Sequence, residues 1–380
     1  MAKTVVIVGG GVGGSIVASH LAKRLHHEIH HGEVVVNLLT EADRHLYQPG
    51  LLYVALGQVE PSELIRKETD VVQPGVNVIV DPVVKIDKAA NAVHTKSGKV
   101  YNYDYLVIAT GSRPMPELIP GLAEAGHWFY TEEGALKLRK ALHDFEGGKI
   151  VVAIGVPHKC PVAPLEITLM LEESLKARGL RDKTEILYTY PIGRTHSLEP
   201  VAHWATPEFD RRGIKYETLF NMKEVDVHNK EVHSIEGSSA KFDLLITIPP
   251  HRGMSMLTES GLADQGGWVP VDRNTLRVAE TENVWALGDT TNLPISKAGS
   301  TAHYEADTVA EQLIGQLNGL GSGKRYDGKV FCFIETGGDK ATYITFDYNH
   351  PPKPAPPSTM IHWFKLAYNR IYWLNPGGVI

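Results

Sequence analysis

The chain has little cysteine, since its 380 residues contain only Cys160 and Cys332. Two thiols cannot build a disulfide scaffold or a four-cysteine zinc site, although they can form a redox pair. Excess charge of one sign is also absent, because 38 lysines and arginines stand against 44 aspartates and glutamates, giving a net charge of −6. Without a basic stripe, we expect no nucleic-acid partner.

Long apolar runs are missing as well. No run reaches the ~18–20 residues of a membrane-spanning helix. The start MAKTVVIVGGG leads directly into a strand, without the charged and apolar regions of a signal peptide. We therefore expect a protein that is soluble or attached to one face of a membrane.

Metal-ligand clusters are scarce too. Histidines at positions 26, 27, 30 and 31 form an HHxxHH pattern between the first predicted helix and the next strand. We interpret them as a solvated patch and predict no metal site.

The chain does contain a regular alternation of strands and helices. Three apolar strands are each followed by glycine, at residues 4–8, 149–154 and 283–287. Helical stretches lie at residues 15–25, 132–142 and 165–178. This alternation predicts an α/β protein with parallel sheets.

The first strand leads into a dinucleotide-binding motif. Gly9, Gly11 and Gly14 form G-x-G-x-x-G between this strand and a helix, so that a pyrophosphate can approach the backbone at the positive end of the helix. Glu41 follows the next strand, residues 33–39, where a carboxylate can bind ribose hydroxyls. The motif predicts dinucleotide binding.

Two later segments indicate which dinucleotide it is. Residues 105–113 (YLVIATGSR) and 284–290 (VWALGDT) resemble the later fingerprints of the two-dinucleotide flavoprotein superfamily. That resemblance implies two tandem Rossmann-like domains of the FAD/NAD(P)-binding fold. It also implies that Asp289 is a ligand of the FAD ribityl chain. Without the resemblance, Asp289 could equally be an aspartate of a turn. The other cofactor residues predicted here are Thr110, Gly111, Arg113 and Gly288.

The corresponding loop of the middle domain, VVAIGVPHKCPVAPLE at 151–166, lacks a second glycine motif. It keeps Gly155, but Pro157, Pro161 and Pro164 offer no N–H to a phosphate. We predict that this domain does not bind NADH.

Cys160 lies in this altered loop, and Cys332 lies late in the chain, within VFCFIETGG. Either cysteine alone is most simply a buried small hydrophobic residue. We expect the neighbouring His158 and Lys159 to favour a thiolate at Cys160.

Taken together, these pieces resemble the sulfide:quinone oxidoreductases over most of the chain. The matching segments are the first glycine loop, Tyr47-Gln48-Pro49 to Gly57, Cys160 with APLE at 163–166, Gly288-Asp289 with Lys297 shortly after, and Cys332 with its trailing glycines. The cysteine pair with the missing second glycine motif is the specific part of this resemblance.

The resemblance implies a mechanism. Sulfide would attack a sulfur bridge on or near Cys160 and release the Cys332 thiolate, which adds to the flavin C4a before two electrons pass into FAD. Glu166 becomes a candidate proton acceptor, unless it is a solvated helix carboxylate. Lys297 would approach the flavin pyrimidine edge, unless it is a surface lysine. Tyr130 stands where many members carry a third cysteine, so we predict non-covalent FAD.

The tail, MIHWFKLAYNRIYWL at 360–374, would form a helix of about 22 Å, too short to span a bilayer. Its aromatic and basic residues predict an amphipathic segment that attaches the protein to one membrane face, with a core helix as the alternative. By the resemblance, a membrane quinone is the electron acceptor and Lys365 approaches flavin and quinone. Tyr348 is a further aromatic that could line the slot; the tentative quinone and membrane residues are Phe346, Trp363, Phe364, Lys365, Tyr368 and Trp373.

The expected layout is a FAD domain at 1–113 and 251–320, a second Rossmann-like domain at 114–250, and a quinone- and membrane-interacting region at 321–380. We expect a peripheral enzyme on the cytoplasmic face of the cell membrane, and a homo-oligomer. The alternatives are the flavoprotein subunit of a flavocytochrome c sulfide dehydrogenase, a type-2 NADH dehydrogenase, and a flavin sensor without turnover.

Overall fold

The computed structural model describes residues 2–321 and 323–379. Its strands are β1 (Lys3–Val8), β2 (Val34–Thr40), β3 (His45–Leu46), β4 (Ile65–Arg66), β5 (Val76–Val80), β6 (Val83–Asp87), β7 (Ala92–Thr95), β8 (Val100–Asn102), β9 (Tyr105–Ile108), β10 (Arg113–Pro114), β11 (Gly126–His127), β12 (Gly148–Ile154), β13 (Thr184–Tyr190), β14 (Lys215–Thr218), β15 (Met222–Asp226), β16 (Glu231–Ser234), β17 (Ser239–Lys241), β18 (Leu244–Ile248), β19 (His251–Arg252), β20 (Val284–Ala286), β21 (Val330–Gly337) and β22 (Lys340–Phe346). Its helices are α1 (Val12–Arg24), α2 (His26–His30), α3 (Leu51–Ala55), α4 (Glu68–Val71), α5 (Leu122–Ala125), α6 (Glu132–Asp144), α7 (Ala163–Ala177), α8 (Glu199–Arg212), α9 (Ser255–Glu259), α10 (Gly299–Leu317) and α11 (Thr359–Ile371).

The first large sheet is parallel, in the order β20-β9-β1-β2-β5. Val5, Val6 and Ile7 of its central strand are fully buried, as expected of an apolar strand covered on both faces. Helices α1 and α10 pack together on one face. The carboxyl ends of these strands therefore bring together Gly9, Glu41, Ala109 and Gly288.

The second large sheet is also parallel, in the order β11-β18-β12-β13-β14. Its central strand β12 is buried from Ile150 to Ile154, and α7 packs against it. The prediction of an α/β protein with two Rossmann-like sheets is confirmed. Strands β10 and β19 pair antiparallel where the chain passes from one sheet to the other and back.

A C-terminal hairpin, β21 and β22, completes the site. Its strands pair antiparallel with Cys332 opposite Ile344, and α7 packs against β21 while α11 packs against β22. The alternating pattern of β21 buries Val330, Cys332 and Ile334 in the cluster that contains the α7 side chains.

The tail is shorter as a helix than the sequence suggests. α11 ends at Ile371, and a 3-10 turn, Tyr372–Leu374, follows it. Ser358 caps the helix, since its side chain accepts a hydrogen bond from the N–H of Ile361 at 3.2 Å. None of the helices in the described chain combines the length and the apolar character that crossing a bilayer requires.

Candidate active site

The first glycine loop leaves an open cradle at the start of α1. A side chain at Gly14 would collide with the carbonyl oxygen of Gly9, so this glycine is needed for close strand–helix packing. A Cβ at Gly11 would meet no described atom within 4 Å. Gly11 is also the N-cap of α1, and no described side chain caps it. Free space at an uncapped helix N-terminus fits the pyrophosphate of FAD.

The neighbouring strand ends supply further polar groups. Glu41 lies directly after β2 and forms an ion pair with Arg113 at 2.5 Å, with both side chains largely exposed. The hydroxyls of Thr110 and Thr290 are 3.1 Å apart, which joins the end of β9 to the turn after β20. Gly111 has a positive φ of 68°, a conformation that favours glycine. These predicted residues therefore lie along one sheet edge.

Asp289 connects the first sheet to the loop that carries Cys160. Its carboxylate oxygen Oδ2 lies 3.4 Å from Lys159 Nζ, and both side chains are mostly buried. Lys159 also donates to the Gln48 side chain at 2.5 Å. The predicted ribityl ligand and the residue before Cys160 are thus in direct contact.

A buried carboxyl group that the sequence did not indicate lies behind this turn. Glu305 of α10 is fully buried, and its Oε2 accepts a hydrogen bond from the Gly288 N–H at 2.5 Å. Its Oε1 has no hydrogen-bond partner among the described residues. Burial raises the pKa of Glu305 to about 8.

Lys297 lies just before α10 and meets the Cys160 loop. Its backbone carbonyl accepts a hydrogen bond from the Cys160 N–H at 2.8 Å. Its Nζ donates to the Thr291 carbonyl at 2.5 Å and lies 4.4 Å from the centre of the Trp268 ring. Burial lowers the pKa of Lys297. It is therefore not the surface lysine of the alternative interpretation.

The two cysteines are associated with the same buried apolar cluster. Cys332 lies inside the cluster and Cys160 packs against it, and both are free thiols. Cys160 has a φ of 53°, in the left-handed region that L-residues rarely adopt. Burial raises the pKa of Cys332, and the nearby charge of Cys160 raises it further.

The expectation that His158 and Lys159 favour a thiolate at Cys160 is wrong for the free thiol. Burial raises the pKa of Cys160 to about 12, and Glu166 adds to this effect, while Lys159 lowers it only in small part. Burial also lowers the pKa of His158, so its ring carries no charge at neutral pH.

Glu166 is buried in the first turn of α7, so it is not a solvated helix carboxylate. Its Oε1 forms an ion pair with Lys365 of α11 and accepts a hydrogen bond from the Glu335 N–H at 2.8 Å. Burial raises the pKa of Glu166 even though Lys365 opposes that shift. The two predicted residues, 199 positions apart, form one buried pair next to the cysteines.

Three further polar residues in this region were not predicted from the sequence. Glu335 accepts hydrogen bonds from the Tyr53 hydroxyl at 3.0 Å and from His362 Nδ1 at 2.9 Å. Tyr53 and Glu335 are 282 positions apart, and no local pattern signals such a contact. The segment 47–57 of the family resemblance was the one available hint, because it contains Tyr53.

The predicted quinone and membrane residues separate into two groups. Trp363 and Phe364 point outward from α11, with exposed fractions of 62% and 59%. Phe346 is buried in the hairpin, Tyr368 lies 6.1 Å from the Phe333 ring, and Trp373 stacks under the Arg66 guanidinium at 4.5 Å. Tyr348 instead packs on Tyr326 beside the first sheet, and its hydroxyl donates to the Arg273 carbonyl.

The second loop is filled where the first is open. A Cβ at Gly155 would lie 2.7 Å from Pro250 Cδ, and Pro164 occupies the first turn of α7. Tyr130 covers the loop by donating to the Lys159 carbonyl at 3.2 Å. A cavity of about 420 Å³ opens beside the loop, lined by Val156, Pro157, Pro250, His251 and Trp268 among others.

A buried hydrogen-bond network supports the first glycine loop from behind. Glu68, which is fully buried, accepts from the Ser15 hydroxyl at 2.5 Å and pairs with His45 Nδ1 at 2.9 Å. His45 Nε2 lies 2.8 Å from the Tyr372 hydroxyl. The network therefore joins α1 to the segment that follows α11.

Comparison with known proteins agrees with this geometry. Residues 3–306 match the pyridine nucleotide-disulphide oxidoreductase family. The mitochondrial sulfide:quinone oxidoreductase of Mus musculus is 30% identical over 329 residues, covering 83% of this chain and 73% of that protein. The mitochondrial sulfide:quinone oxidoreductase of Dictyostelium discoideum is 29% identical over 357 residues, covering 90% of this chain and 77% of that protein.

A solved structure gives the same fold. The sulfide:quinone oxidoreductase from the hyperthermophilic bacterium Aquifex aeolicus superposes with a TM-score of 0.89 at 22% identity. The match covers 100% of this chain and 93% of that chain. The likeness therefore includes the C-terminal hairpin and tail as well as the two sheets.

Proposed function

This chain belongs to the sulfide:quinone oxidoreductases of the pyridine nucleotide-disulphide oxidoreductase family, and we propose that it oxidises sulfide with FAD and reduces a quinone. The resemblance read from the sequence is thereby confirmed. One observation carries the assignment of the site: Cys160 packs against the buried cluster that contains Cys332, and the Cys160 N–H is bonded to the Lys297 carbonyl at 2.8 Å.

The chain's own residues hold FAD without a covalent bond in this proposal. Gly11 and the N-terminus of α1 receive the pyrophosphate, Asp289 takes the ribityl chain, and Lys297 faces the pyrimidine edge. FAD, when bound, accepts an electron pair and passes it to the quinone. Tyr130 replaces a third thiol, so we expect mass spectrometry of the denatured protein to show the bare polypeptide mass.

The cysteines carry the sulfur exchange. Hydrosulfide attacks a sulfur bridge on or next to Cys160, the bond to Cys332 breaks, and Cys332 leaves as a thiolate with the electron pair. The raised pKa of Cys332 indicates that burial disfavours this thiolate. The thiolate is therefore inclined to give up its electron pair, and the sulfur bridge then forms again. The product of sulfide oxidation is a polysulfide or elemental sulfur.

Glu166 takes the proton of the attacking hydrosulfide. Its raised pKa makes it a better base than an exposed carboxylate, and the ion pair with Lys365 fixes its position. The cavity lined by Pro157 and His251 lies beside the loop that carries Cys160. In this proposal hydrosulfide approaches Cys160 through it.

The outward face of α11 attaches the enzyme to the bilayer surface in this proposal, at the cytoplasmic face. Met360, Trp363 and Phe364 form an exposed apolar patch on it. We expect W363E/F364E to lose co-sedimentation with liposomes, whereas the control L320E, at an equally exposed apolar site outside α11, retains it. Quinone then enters between α11 and the hairpin, near Tyr368 and Phe346.

We also propose that the enzyme is a homo-oligomer. Exposed apolar side chains away from α11, such as Leu219 and Ile235, offer surface for self-association. Light scattering in detergent checks this, and a monomer mass at micromolar concentration would contradict it.

The function as a whole is tested anaerobically with the purified flavoprotein. We expect sulfide to bleach the flavin absorbance, NADH to leave it unchanged, and added decylubiquinone to restore it. Bleaching by NADH but not by sulfide would overturn the proposal, because the filled second loop offers NADH no pyrophosphate site.

A further inference from the structure

A second buried carboxylate lies on the side of Glu166 that faces α11. Glu335 is 2% exposed, and its backbone N–H is bonded to Glu166 while its side chain accepts from Tyr53 and His362. A carboxylate this deeply buried is costly unless it is paired or has a function. Sulfide chemistry at the cysteines does not itself require it.

The contacts of Glu335 lead from the active site toward solvent. His362 Nδ1 is bonded to Glu335 Oε2 at 2.9 Å, and its Nε2 lies 4.0 Å from Asp339 Oδ1. Exposure of the side chains rises along this series, from 3% at Glu335 to 15% at His362 and 87% at Asp339. The series therefore begins in the core and ends at the surface.

The inner end of the series approaches the Glu166–Lys365 pair. Lys365 Nζ lies 5.6 Å from the centre of the Tyr53 ring, whose hydroxyl donates to Glu335. Both carboxylates and Tyr53 act on Lys365 electrostatically. The relay requires that a rotation of the Lys365 side chain or one water molecule bridge the remaining gap to Glu335.

The proposed reaction needs such a route. Oxidation of hydrosulfide to bridge-bound sulfur releases two electrons, which leave through FAD, and one proton, which Glu166 receives. Glu166 is buried and must lose that proton before the next turnover. Two polar groups of the described chain contact it, Lys365 and the Glu335 amide, and both lie on the side facing α11.

We propose that Lys365, Glu335 and His362 conduct the proton released at Glu166 to solvent beside Asp339. Each group takes a proton from its inner neighbour and gives one to its outer neighbour. Only bonds to hydrogen form and break, and no electron is transferred. The inference rests on the proposed function. It makes Glu335 and His362 positioning and relay residues of the sulfide half-reaction.

The test compares H362Q with wild type by anaerobic stopped flow, once in sulfide-driven turnover with decylubiquinone present and once in reoxidation of the reduced flavin by decylubiquinone. We expect flavin reduction by sulfide to slow about tenfold in repeated turnover, with a larger solvent deuterium isotope effect, while reoxidation by decylubiquinone is unchanged. Imidazole in the buffer should restore the rate, because His362 is partly exposed and the added base can replace it. The matched control is H350Q, since His350 pairs with Asp347 at 2.9 Å on the surface, outside this series.

Several outcomes overturn the inference. An unchanged rate and isotope effect in H362Q, or slowing confined to quinone reoxidation, would exclude this route for the sulfide proton. If H362Q loses FAD, E335Q is measured instead. A rate in E335Q equal to that of wild type would also exclude this route for the sulfide proton. Absence of sulfide-driven bleaching in wild type would instead remove the proposed function on which the inference rests.

Discussion

The loop that joins β1 to α1 and the loop that joins β12 to α7 occupy the same place in their two sheets. The first spans residues 9–11 and leaves space at Gly11, next to an uncapped helix. The second spans residues 155–162, and its Gly155 position is closed by Pro250. Equivalent positions in one architecture thus present an open and a filled surface.

The difference lies in where the backbone hydrogen bonds go. In the second loop the Cys160 N–H is bonded to the Lys297 carbonyl, and the Pro157 carbonyl is bonded to the His251 N–H. The Cys160 N–H, which could otherwise face a phosphate, is used within the protein, and this bond holds Cys160 against the segment that precedes α10. In the proposed function this loop of the nucleotide-binding type serves as a sulfur site, because its Cys160 N–H is bonded within the protein and a cysteine is present.

The largest expected effect comes from removing the thiols of the second loop and the hairpin. In C160S and in C332S we expect sulfide-driven flavin reduction to fall at least about 1,000-fold, because the covalent exchange has no replacement. FAD content should stay at the wild-type value, since the first loop is unchanged. Stopped-flow absorbance with flavin quantification measures both, and a wild-type rate in either variant would contradict the division of roles between the loops.

The complementary test substitutes a residue of the first loop and leaves the second loop unchanged. In G11V we expect FAD affinity to fall about 100-fold, because the side chain fills the space for the pyrophosphate, and its Cβ would meet no described atom within 4 Å. Fluorescence titration of apoprotein measures the affinity. The matched variant is G155A, where the new methyl strikes Pro250 and should lower stability while FAD affinity is retained. Equal loss of FAD in both variants would show that the loops do not differ as proposed.

The parts of the molecule that were predictable from the sequence are local ones. The glycine loop, the strands around it and the proline-altered second loop each lie within about 20 consecutive residues, where spacing specifies conformation. The Glu166–Lys365 pair joins residues 199 positions apart, and its existence depends on how α11 packs on the hairpin. Likewise, Phe346 and Tyr348 lie two positions apart, but the chain leaves β22 at Phe346 and carries Tyr348 to the other domain.

Buried charge distinguishes the two sites as well. Glu166 at the second loop is paired with Lys365, whereas Glu305 behind Gly288 is bonded to a backbone N–H, and burial raises its pKa to about 8. Because the folded pKa exceeds the unfolded one, the folded state holds the proton more tightly. This contribution to stability is complete below about pH 4.5 and is lost as the pH rises through 8.

E305Q should therefore remove part of the pH dependence of stability. We expect the free energy of unfolding of wild type to fall by about 4 kcal/mol more than that of E305Q between pH 5 and pH 8.5. Urea unfolding of the FAD-loaded proteins at the two pH values measures the difference. If the unfolding free energies of wild type and E305Q depend on pH in the same way, Glu305 is ionised at neutral pH. The two sites then do not differ in the charge of their buried carboxyl groups.

The smallest expected effect concerns the support of the first loop by the C-terminal segment. Y372F removes the hydroxyl bonded to His45 Nε2 at 2.8 Å, and with it one hydrogen bond of the series through Glu68 to Ser15 on α1. We expect a loss of about 1 kcal/mol in unfolding free energy, since the ring still packs on Tyr47 at 4.3 Å.

The control for Y372F is Y101F on β8, where the half-buried Tyr101 hydroxyl has no hydrogen bond within the described part of the chain. Urea unfolding should leave Y101F within a few tenths of a kcal/mol of wild type, the usual range for such a site. FAD affinity should also weaken slightly in Y372F, because His45, Glu68 and Ser15 lie directly behind the glycine loop. Sulfide-driven reduction at the second loop should be unchanged. A Y372F protein that loses its sulfide reaction but keeps its FAD affinity would place Tyr372 with the sulfur site and contradict its assignment to the first loop.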